Sequence, residues 1–381
     1  MRRTLVIVVL AVLSILAVAP ADVTAAAAAR ESRIYYSACP GTISNGTCKD
    51  NNGKSLPTEI MRIGPNGYRA QRVTFNATFE QDLIWSPSGR SIVFERTGSA
   101  ITCDYGSHLA RIAASGSPDE KTLTASGNYR CDEPTDWAPD GGRFLFDRMQ
   151  NVCEDVVSVR RDGSHRSSLT RVCGEREDPD EYAFDGNWAR DGSRVIYRMN
   201  VHDETGDGIY IMRANGTNRH KVKLGGRAVG DVDVSPGSHT LAFAVYTKDG
   251  ASLFTSNLNG DHVQRIDSPD GVVDIQYIRW SPDGKKILYV GQEGGGLGSL
   301  YVVNRDRGNP TKLDGPALDA VSSREIYGGY WSPDSTRVTF VAEDHDFNGH
   351  ALAVMDVDGS NLEVLTRYEK NLYVWGWERL P

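Results

Sequence analysis

The amino-acid sequence predicts an all-β fold, a seven-bladed β-propeller of four-stranded antiparallel blades. Three observations predict it: a turn motif that recurs about every fifty residues, a β-branched and aromatic run after each copy, and two chain ends that complete each other. Gly accounts for 39 of the 381 residues, which is high for a globular chain and indicates many turns. Propellers of six or eight blades are the alternatives.

The turn motif reads Trp-Ser-Pro-Asp-Gly in its complete form, at residues 280–284. Further copies begin at Trp85, Trp137, Trp188 and Trp331, and a degenerate copy begins at Val234, so that successive copies are 52, 51, 46, 46 and 51 residues apart. Proline presets φ at the second position of a tight turn, and Asp and Gly suit its last positions. Each copy therefore predicts a hairpin between two strands.

Each repeating unit contains four predicted strands. The run after the turn, such as Ile-Val-Phe at residues 92–94, predicts the second strand. A third strand ends in another turn, as at Asp358-Gly359, and a fourth follows, as at residues 364–366. Four antiparallel strands form one propeller blade. On this pattern the blades begin near residues 82, 134, 185, 231, 277 and 328.

The seventh blade combines both ends of the chain. Residues 33–75 supply a second, a third and a fourth strand but no first strand, whereas residues 371–379 supply an aromatic strand with nothing after it. Pairing of the two closes the ring and removes the exposed sheet edges that invite aggregation. Residues 30–381 are then a single propeller domain.

The Trp-Ser-Pro-Asp-Gly hairpin, the aliphatic and aromatic strand after it, and the later Asp-Gly turn followed by Leu-Thr resemble the TolB-type propeller repeat, a relative of WD repeats. The resemblance covers nearly all of the chain after the first 29 residues. It implies the propeller fold but no single function, because this repeat occurs in periplasmic binding proteins, in sensor domains and in propellers attached to peptidases. Two departures are expected: there is no room for the α/β domain that precedes the propeller in TolB or for a hydrolase domain, and no G-x-S-x-G elbow occurs.

The first 29 residues predict a secretory signal peptide. Arg2 and Arg3 precede an apolar stretch at residues 5–18, and a run of small residues follows at 25–29. We expect a secreted monomer with no stable membrane insertion after cleavage. The formal net charge of −8 argues against a nucleic-acid partner, because such a partner requires a basic face.

Six cysteines in an exported chain favour disulfides. The blade pattern places Cys103 before the third strand and Cys131 after the fourth strand of one blade, and the next two cysteines repeat this relation in the following blade. The loops concerned lie opposite the motif turns, on what we call the top face. The predicted pairs are Cys39–Cys48, Cys103–Cys131 and Cys153–Cys173.

Two top-face loops carry oxygen ligands at alternate positions. Residues 344–349 read Asp-His-Asp-Phe-Asn-Gly, and residues 203–208 show the same spacing with Thr third, a pattern that suits calcium. The predicted ligands are Asp203, Thr205, Asp207, Asp344, Asp346 and Asn348. Both loops lack the Glu that ends an EF-hand loop and lie between predicted strands, so solvated hairpin turns are the alternative. No other cofactor is indicated.

A set of carboxylates lies just before the first strands of four consecutive blades. These are Asp82, Asp136, Asp185, Asp231 and Asp233, and later blades have Arg279 and Tyr330 at comparable positions. Because the innermost strands of a propeller line its central channel, these residues predict an asymmetric acidic channel mouth for a cation, sugar hydroxyls or a basic peptide. Capping of backbone amides by Asp is the alternative.

Two functions from different classes fit these features. The first is a binding or scaffold module that takes a protein, peptide or carbohydrate ligand through its disulfide-pinned top face, since long loops on a rigid scaffold commonly carry binding. The second is an extracellular lyase or hydrolase with an acidic, metal-assisted site at the channel mouth. The sequence nominates no nucleophile with a neighbouring base, which favours the binding module.

Overall fold

A computed structural model describes much of the chain from Ser32 to Arg379. The described residues are 32–38, 42–44, 47–49, 52, 54, 56–75, 78–97, 106–116, 119–125, 127, 129–150, 153–173, 181–201, 206–223, 227–237, 239–247, 250–266, 269, 271–294, 298–306, 310–313, 326–343, 349–366 and 372–379. The predicted signal peptide lies outside them. No helix among these residues is long and apolar enough to cross a membrane.

The described strands form seven four-stranded units. Blade 1 contains β6 (Phe79–Trp85), β7 (Ser91–Thr97), β8 (Ser107–Ala113) and β9 (Lys121–Thr122). Blade 2 contains β10 (Arg130–Trp137), β11 (Arg143–Gln150), β12 (Cys153–Arg160) and β13 (Ser167–Ser168). Blade 3 contains β14 (Glu181–Trp188), β15 (Arg194–Val201), β16 (Gly208–Arg213) and β17 (His220–Lys221). Blade 4 contains β18 (Arg227–Val234), β19 (Thr240–Thr247), β20 (Gly250–Asn257) and β21 (Gln264–Arg265).

The remaining blades follow the same order. Blade 5 contains β22 (Val272–Trp280), β23 (Lys286–Glu293), β24 (Gly298–Asn304) and β25 (Thr311–Lys312). Blade 6 contains β26 (Ile326–Trp331), β27 (Arg337–Glu343), β28 (His350–Asp356) and β29 (Glu363–Val364). Blade 7 contains β30 (Tyr373–Arg379), β1 (Ser32–Ala38), β4 (Glu59–Ile63) and β5 (Gln71–Arg72), and a small hairpin of β2 (Thr42–Ser44) and β3 (Thr47–Lys49) lies outside the blades.

Blade 7 confirms the predicted closure of the ring. The last strand, β30, pairs antiparallel with the first, β1, and β1 then pairs with β4. Two tryptophans of β30 reinforce the pairing: Trp377 Nε1 donates to Ser32 Oγ at 2.8 Å, and Trp375 Nε1 donates to Ser37 Oγ at 2.9 Å. Both ends of the chain are therefore joined within one sheet.

The turn motif forms the predicted hairpins and also links neighbouring blades. Gly141 at its fifth position has φ 67°, a left-handed conformation that Gly adopts without steric cost. A β-carbon placed on Gly141 would lie 3.7 Å from Cδ of Pro87 in the preceding turn, and Gly192 has the same relation to Pro139 at 3.8 Å. Consecutive turns therefore lie side by side around the ring, and the left-handed φ rather than a lack of space explains the Gly.

Seven clusters of buried apolar side chains lie between consecutive blades in the described part of the chain. One of them packs Trp137 and Phe144 of blade 2 against Val93 of blade 1. The motif residues Trp137, Trp188, Trp280 and Trp331 are all buried. The repeating tryptophan therefore acts as a core residue between blades, consistent with its large apolar surface.

One predicted disulfide is confirmed. Cys153 and Cys173 are bonded, with their Cα atoms 5.5 Å apart. Cys131 is also disulfide-bonded. The pairs Cys39–Cys48 and Cys103–Cys131 involve side chains that lie outside the described residues and stay predictions. Disulfides are typical of oxidising, extracytoplasmic compartments.

Replacement of Trp377 by Ala should destabilise the protein strongly, because it empties a buried site and removes the bond to Ser32 that joins the chain ends. We expect the free energy of unfolding to fall by about 3–5 kcal/mol in urea denaturation. Tyr373→Ala, at an exposed position of the same strand, serves as the matched control. Equal losses in the two variants would contradict the importance of the closure.

Replacement of both Cys153 and Cys173 by Ser should lower the free energy of unfolding by about 3 kcal/mol, because the cross-link restricts the unfolded chain. Urea denaturation under non-reducing conditions measures the change. Peptide mapping of the variant controls for the other cysteines, since Cys131 should keep its disulfide. Unfolding curves that superimpose on those of the unmodified protein would show that this bond does not stabilise the fold.

Candidate functional site

A central channel of about 720 Å³ runs between the blades. Residues from the innermost strand of every blade line it, and the motif prolines Pro87, Pro282 and Pro333 lie at its border. The described channel therefore reaches the face that carries the motif turns, opposite the top face.

A β-bulge interrupts the innermost strand of each blade. The register shifts in β6 between Gln81 and Leu83, which leaves Asp82 unpaired with a left-handed φ of 47°. Comparable shifts occur in the other innermost strands, from β10 to β26 and at the β1–β30 pair. A bulge changes the direction of a side chain, and here the bulges turn residues such as Asp82 and Asp185 toward the channel.

The observed strand bounds correct the predicted positions of the carboxylates. All five were expected just before the first strands, but they lie within β6, β10, β14 and β18: Asp82, Asp136, Asp185, Asp231 and Asp233. The innermost strands of blades 1 to 6 begin two to five residues before the predicted starts. The expected strand entries are therefore positions inside the strands, and at Asp82 and Asp185 a bulge turns the side chain toward the channel.

The structure brings all seven predicted binding residues to the same channel. They are Asp82, Asp136, Asp185, Asp231, Asp233, Arg279 and Tyr330. Their role in ligand binding stays a prediction, but their contacts divide them into two groups.

Two of the aspartates hold neighbouring blades together. Asp136 Oδ2 accepts a hydrogen bond from the amide of Trp188 in the next blade at 2.8 Å. Asp233 Oδ2 does the same for the amide of Trp280 at 2.7 Å, and its Oδ1 accepts from Val234 at 2.8 Å. These two residues therefore fit the alternative in which Asp caps backbone amides.

Arg279 and Tyr330 form the basic side of the channel. The Arg279 guanidinium lies 5.4 Å from the centroid of the Tyr330 ring, and its Nη1 donates to the carbonyl of Ile278 at 3.0 Å. Although burial lowers the pKa of Arg279, the neighbouring Tyr330, Asp231 and Asp233 together raise it further above its usual range. Arg279 therefore stays charged and faces the aspartates.

Several acidic residues near the channel were not predicted. Glu133 and Glu378 line it, and Glu95, Asp147 and Glu154 interact with its carboxylates. For Glu95 and Asp147 the sequence did contain a signal that could have identified them. Each carries a charge directly after an aliphatic and aromatic run, where a buried second strand should stay apolar. With Asp82 and Asp185, the residues Glu95, Glu133, Asp147 and Glu154 form what we call the acidic cluster.

The acidic cluster is only partly hydrogen-bonded. Asp147 is 3% exposed, and its Oδ2 accepts a hydrogen bond from the amide of Asp185 at 2.6 Å, whereas its Oδ1 has no partner in the described part of the chain. Asp185 forms an ion pair with Arg198. Glu95 accepts a hydrogen bond from Gln81 Nε2 at 2.8 Å and shares another with Asp82.

Two glutamates of the acidic cluster, Glu133 and Glu154, have pKa values that are shifted upward. Withdrawal from bulk water inside the channel, reinforced by the charges of Glu95, Asp185 and Glu154, raises the pKa of Glu133 to about 8, although the Glu133 side chain is exposed to the channel space. Burial, followed by the charge of Asp185, raises the pKa of Glu154 to about 7. Both groups therefore titrate near neutral pH.

Asp82 and Asp147 are shifted in the same direction. Burial, together with neighbouring carboxylates, holds the pKa of each well above its usual value. Burial likewise raises the pKa of Asp136 to about 6 and that of Glu378 to about 7. The carboxyl groups in and around the channel are therefore harder to ionise than carboxyl groups in water.

Metal binding gains no new support from this arrangement. No group of three or more His, Cys, Asp or Glu is placed to hold a metal ion within the described ranges. Most of the predicted calcium ligands, Asp203, Thr205, Asp344, Asp346 and Asn348, lie outside those ranges. Asp207 is buried and accepts a hydrogen bond from the Val201 amide at 2.7 Å. Calcium binding by these loops stays a prediction.

Comparisons of sequence give a limited match. No family model matches the chain. A region of 170 residues is 26% identical to an uncharacterized protein of Agrobacterium fabrum, over 40% of this chain and 53% of that protein. The match thus spans about half the length of this curated relative.

Comparisons of structure are more informative. TolB of Acinetobacter baumannii superposes with a TM-score of 0.54 at 14% identity, over 91% of this chain and 67% of that chain. A puromycin-hydrolyzing peptidase of Mycobacterium tuberculosis gives 0.64 at 14% identity, over 90% and 54% of the two chains. An oligogalacturonate lyase of Vibrio parahaemolyticus gives 0.59 at 12% identity, over 85% of each.

The chain has the TolB-type propeller fold. At these identities the similarity establishes the fold alone, since proteins with different activities share the scaffold. The function of this TolB-type propeller must therefore be argued from its channel and its surface.

The acidic cluster should make this TolB-type propeller less stable as the pH rises. The folded-state pKa values of Glu133 and Glu154, about 8 and about 7, exceed the ordinary value of 4.5. Their contribution to stability is therefore fully present below the ordinary pKa and is lost as the pH rises through the folded-state values. Urea denaturation between about pH 5 and about pH 8 should show a falling free energy of unfolding.

The double variant Glu133→Gln/Glu154→Gln should flatten this pH dependence. Glu363→Gln, at an exposed carboxylate on β29, should leave it unchanged and is the matched control. A stability that rises from about pH 5 to about pH 8 in the unmodified protein would contradict the proposed protonation of the cluster.

Proposed function

We propose that this protein is an exported binding module that holds a positively charged segment of a protein or peptide in its central channel. The observation that carries the proposal is the excess of carboxyl groups over basic groups in the channel wall. Seven carboxyl side chains line the channel against three arginines: Asp82, Glu133, Asp136, Asp185, Asp231, Asp233 and Glu378 against Arg190, Arg279 and Arg379.

Some of these carboxyl groups are available to a ligand. Glu133 and Asp231 have no hydrogen-bond partner in the described part of the chain, unlike Asp136 and Asp233. An ammonium or guanidinium group in the channel would donate hydrogen bonds to these carboxylates, and its charge would offset the burial and the neighbouring carboxylates that raise the pKa of Glu133. A volume of about 720 Å³ accommodates a basic side chain with its flanking backbone.

The described opening of the channel supports entry from the motif-turn face. Top-face binding through the disulfide-pinned loops, the interpretation favoured from the sequence, stays a prediction because most of those loops lie outside the described residues.

The enzymatic alternative has one supporting observation. Glu133 and Glu154 have pKa values of about 8 and about 7, which suit a general acid near neutral pH. The acidic wall nevertheless disfavours polyanionic substrates, such as the oligogalacturonate named for the lyase of similar fold. We therefore propose binding rather than lyase or hydrolase activity.

Isothermal titration calorimetry with trilysine tests the proposal, with triglutamate as the probe of opposite charge. Trilysine should bind and should release protons, because a cation lowers the raised pKa of Glu133; the heat should then depend on the ionisation enthalpy of the buffer. The double variant Glu133→Gln/Asp231→Asn should bind about tenfold more weakly, equivalent to about 1.4 kcal/mol.

The control variant is Glu363→Gln, which removes one exposed carboxylate outside the channel and should leave the affinity unchanged. Equal binding of trilysine and triglutamate would refute the proposal, and so would an unchanged affinity in the double variant.

A further inference from the structure

A second concave site lies between blades 6 and 7, on the motif-turn face. Its volume is about 300 Å³. Three arginines line it, Arg33 at the start of β1, Arg337 at the start of β27 and Arg69 in the turn between β4 and β5, together with Tyr68 and residues 64–66 of the same turn. None of its lining residues is acidic, and none lines the channel.

The turn that forms one wall is held by its own backbone. The amide of Gly64 donates to the carbonyl of Tyr68 at 3.0 Å, and the amide of Gly67 donates to the carbonyl of Gly64 at 3.0 Å. These bonds place the Tyr68 ring at the rim, where it is 73% exposed. An exposed aromatic ring on an ordered turn offers a flat apolar surface to a ligand.

Two of the arginines are also positioned by contacts. The Arg337 guanidinium lies 5.0 Å from the centroid of the Trp377 ring, and Arg33 Nη1 donates to the carbonyl of Ser32 at 2.8 Å. Arginines at the start of second strands elsewhere have different contacts: Arg143 Nη1 donates to Ser158 Oγ and Arg194 Nη1 to Asn259 Oδ1. Arg337 instead stacks on a ring and lines a cavity.

We propose that this pocket binds a small organic anion. The guanidinium groups hold its carboxylate or phosphate group, because their planar N–H donors match the geometry of these oxyanions. The body of the ligand rests against the Tyr68 ring. In a chain with a net charge of −8, three arginines around one cavity without a lining carboxylate form a local site that attracts anions.

Phenyl phosphate, inorganic phosphate and phenol are the probes, titrated into the mature chain at constant ionic strength and followed by calorimetry. We expect both phosphates to bind, phenyl phosphate more tightly, and phenol to bind at least tenfold more weakly than phenyl phosphate. Tyr68→Ala should reduce the affinity for phenyl phosphate to that for inorganic phosphate, while the affinity for inorganic phosphate stays unchanged.

Arg69→Glu should weaken the binding of both phosphates at least tenfold. Arg171→Glu is the matched control, because Arg171 is an exposed turn residue with a left-handed φ of 55°, close to the 59° of Arg69, and the substitution changes the net charge equally. Thermal melting of each variant verifies the fold.

If Arg69→Glu and Arg171→Glu weakened the binding of phosphates equally, the effect would come from the overall charge of the protein, and the proposal would be overturned. Binding of phenol as tight as that of phenyl phosphate would overturn it as well. Because the pocket and the channel share no lining residue, either result leaves the proposed binding of cations in the channel intact.

Discussion

The β-bulge in each innermost strand is the constraint on which the channel of this protein depends. A regular strand alternates its side chains between two faces, and in a propeller both faces pack against neighbouring blades. One unpaired residue breaks this alternation and turns a side chain toward the axis. Asp82 and Asp185 adopt left-handed φ values of 47° and 55° to do so, a conformation that is uncommon for residues other than Gly.

The second strands determine which charged groups lie next to the bulges. Directly after the buried aromatic residue, blades 1 and 2 place Glu95 and Asp147, blade 3 places Arg198, and blades 4 to 6 place Ala244, Val290 and Val341. The carboxyl groups of the first two blades therefore meet Asp82, Glu133 and Asp185 in the acidic cluster, while Arg279 and Tyr330 face them from blades 5 and 6. The same position of the second strand is therefore charged in blades 1 to 3 and apolar in blades 4 to 6.

The fold could be predicted from the sequence because the turn motif is local. Pro and Gly at fixed offsets determine the hairpin, and the tryptophan before them identifies the buried strand end, so the closure through residues 371–379 followed from strand counting. The bulges could not be predicted in this way, since one extra residue leaves the composition of a strand unchanged; glycines inside strands, such as Gly230 and Gly328 with their positive φ, are a weak signal for them. Glu133 precedes Pro134 and resembles a turn residue, and Glu154 reaches the cluster from a third strand, which only the packing of blade 2 on blade 3 reveals.

The hydrogen bonds of the channel aspartates separate structural from functional carboxylates. Asp231 and Asp233 lie two residues apart on β18, yet Asp233 bonds to the amide of Trp280 in the next blade, whereas Asp231 bonds to no described group. The other two carboxylates are not buried without compensation, because Asp231 lies beside the charge of Arg279 and the Glu133 side chain is exposed. Both present oxygens to the channel that form no hydrogen bond within the described part of the ring. A cation bound there would contact these oxygens and would offset the burial and the neighbouring carboxylates that raise the pKa of Glu133. The carboxylates that hold no neighbouring blade are therefore the ones that we propose for ligand contacts.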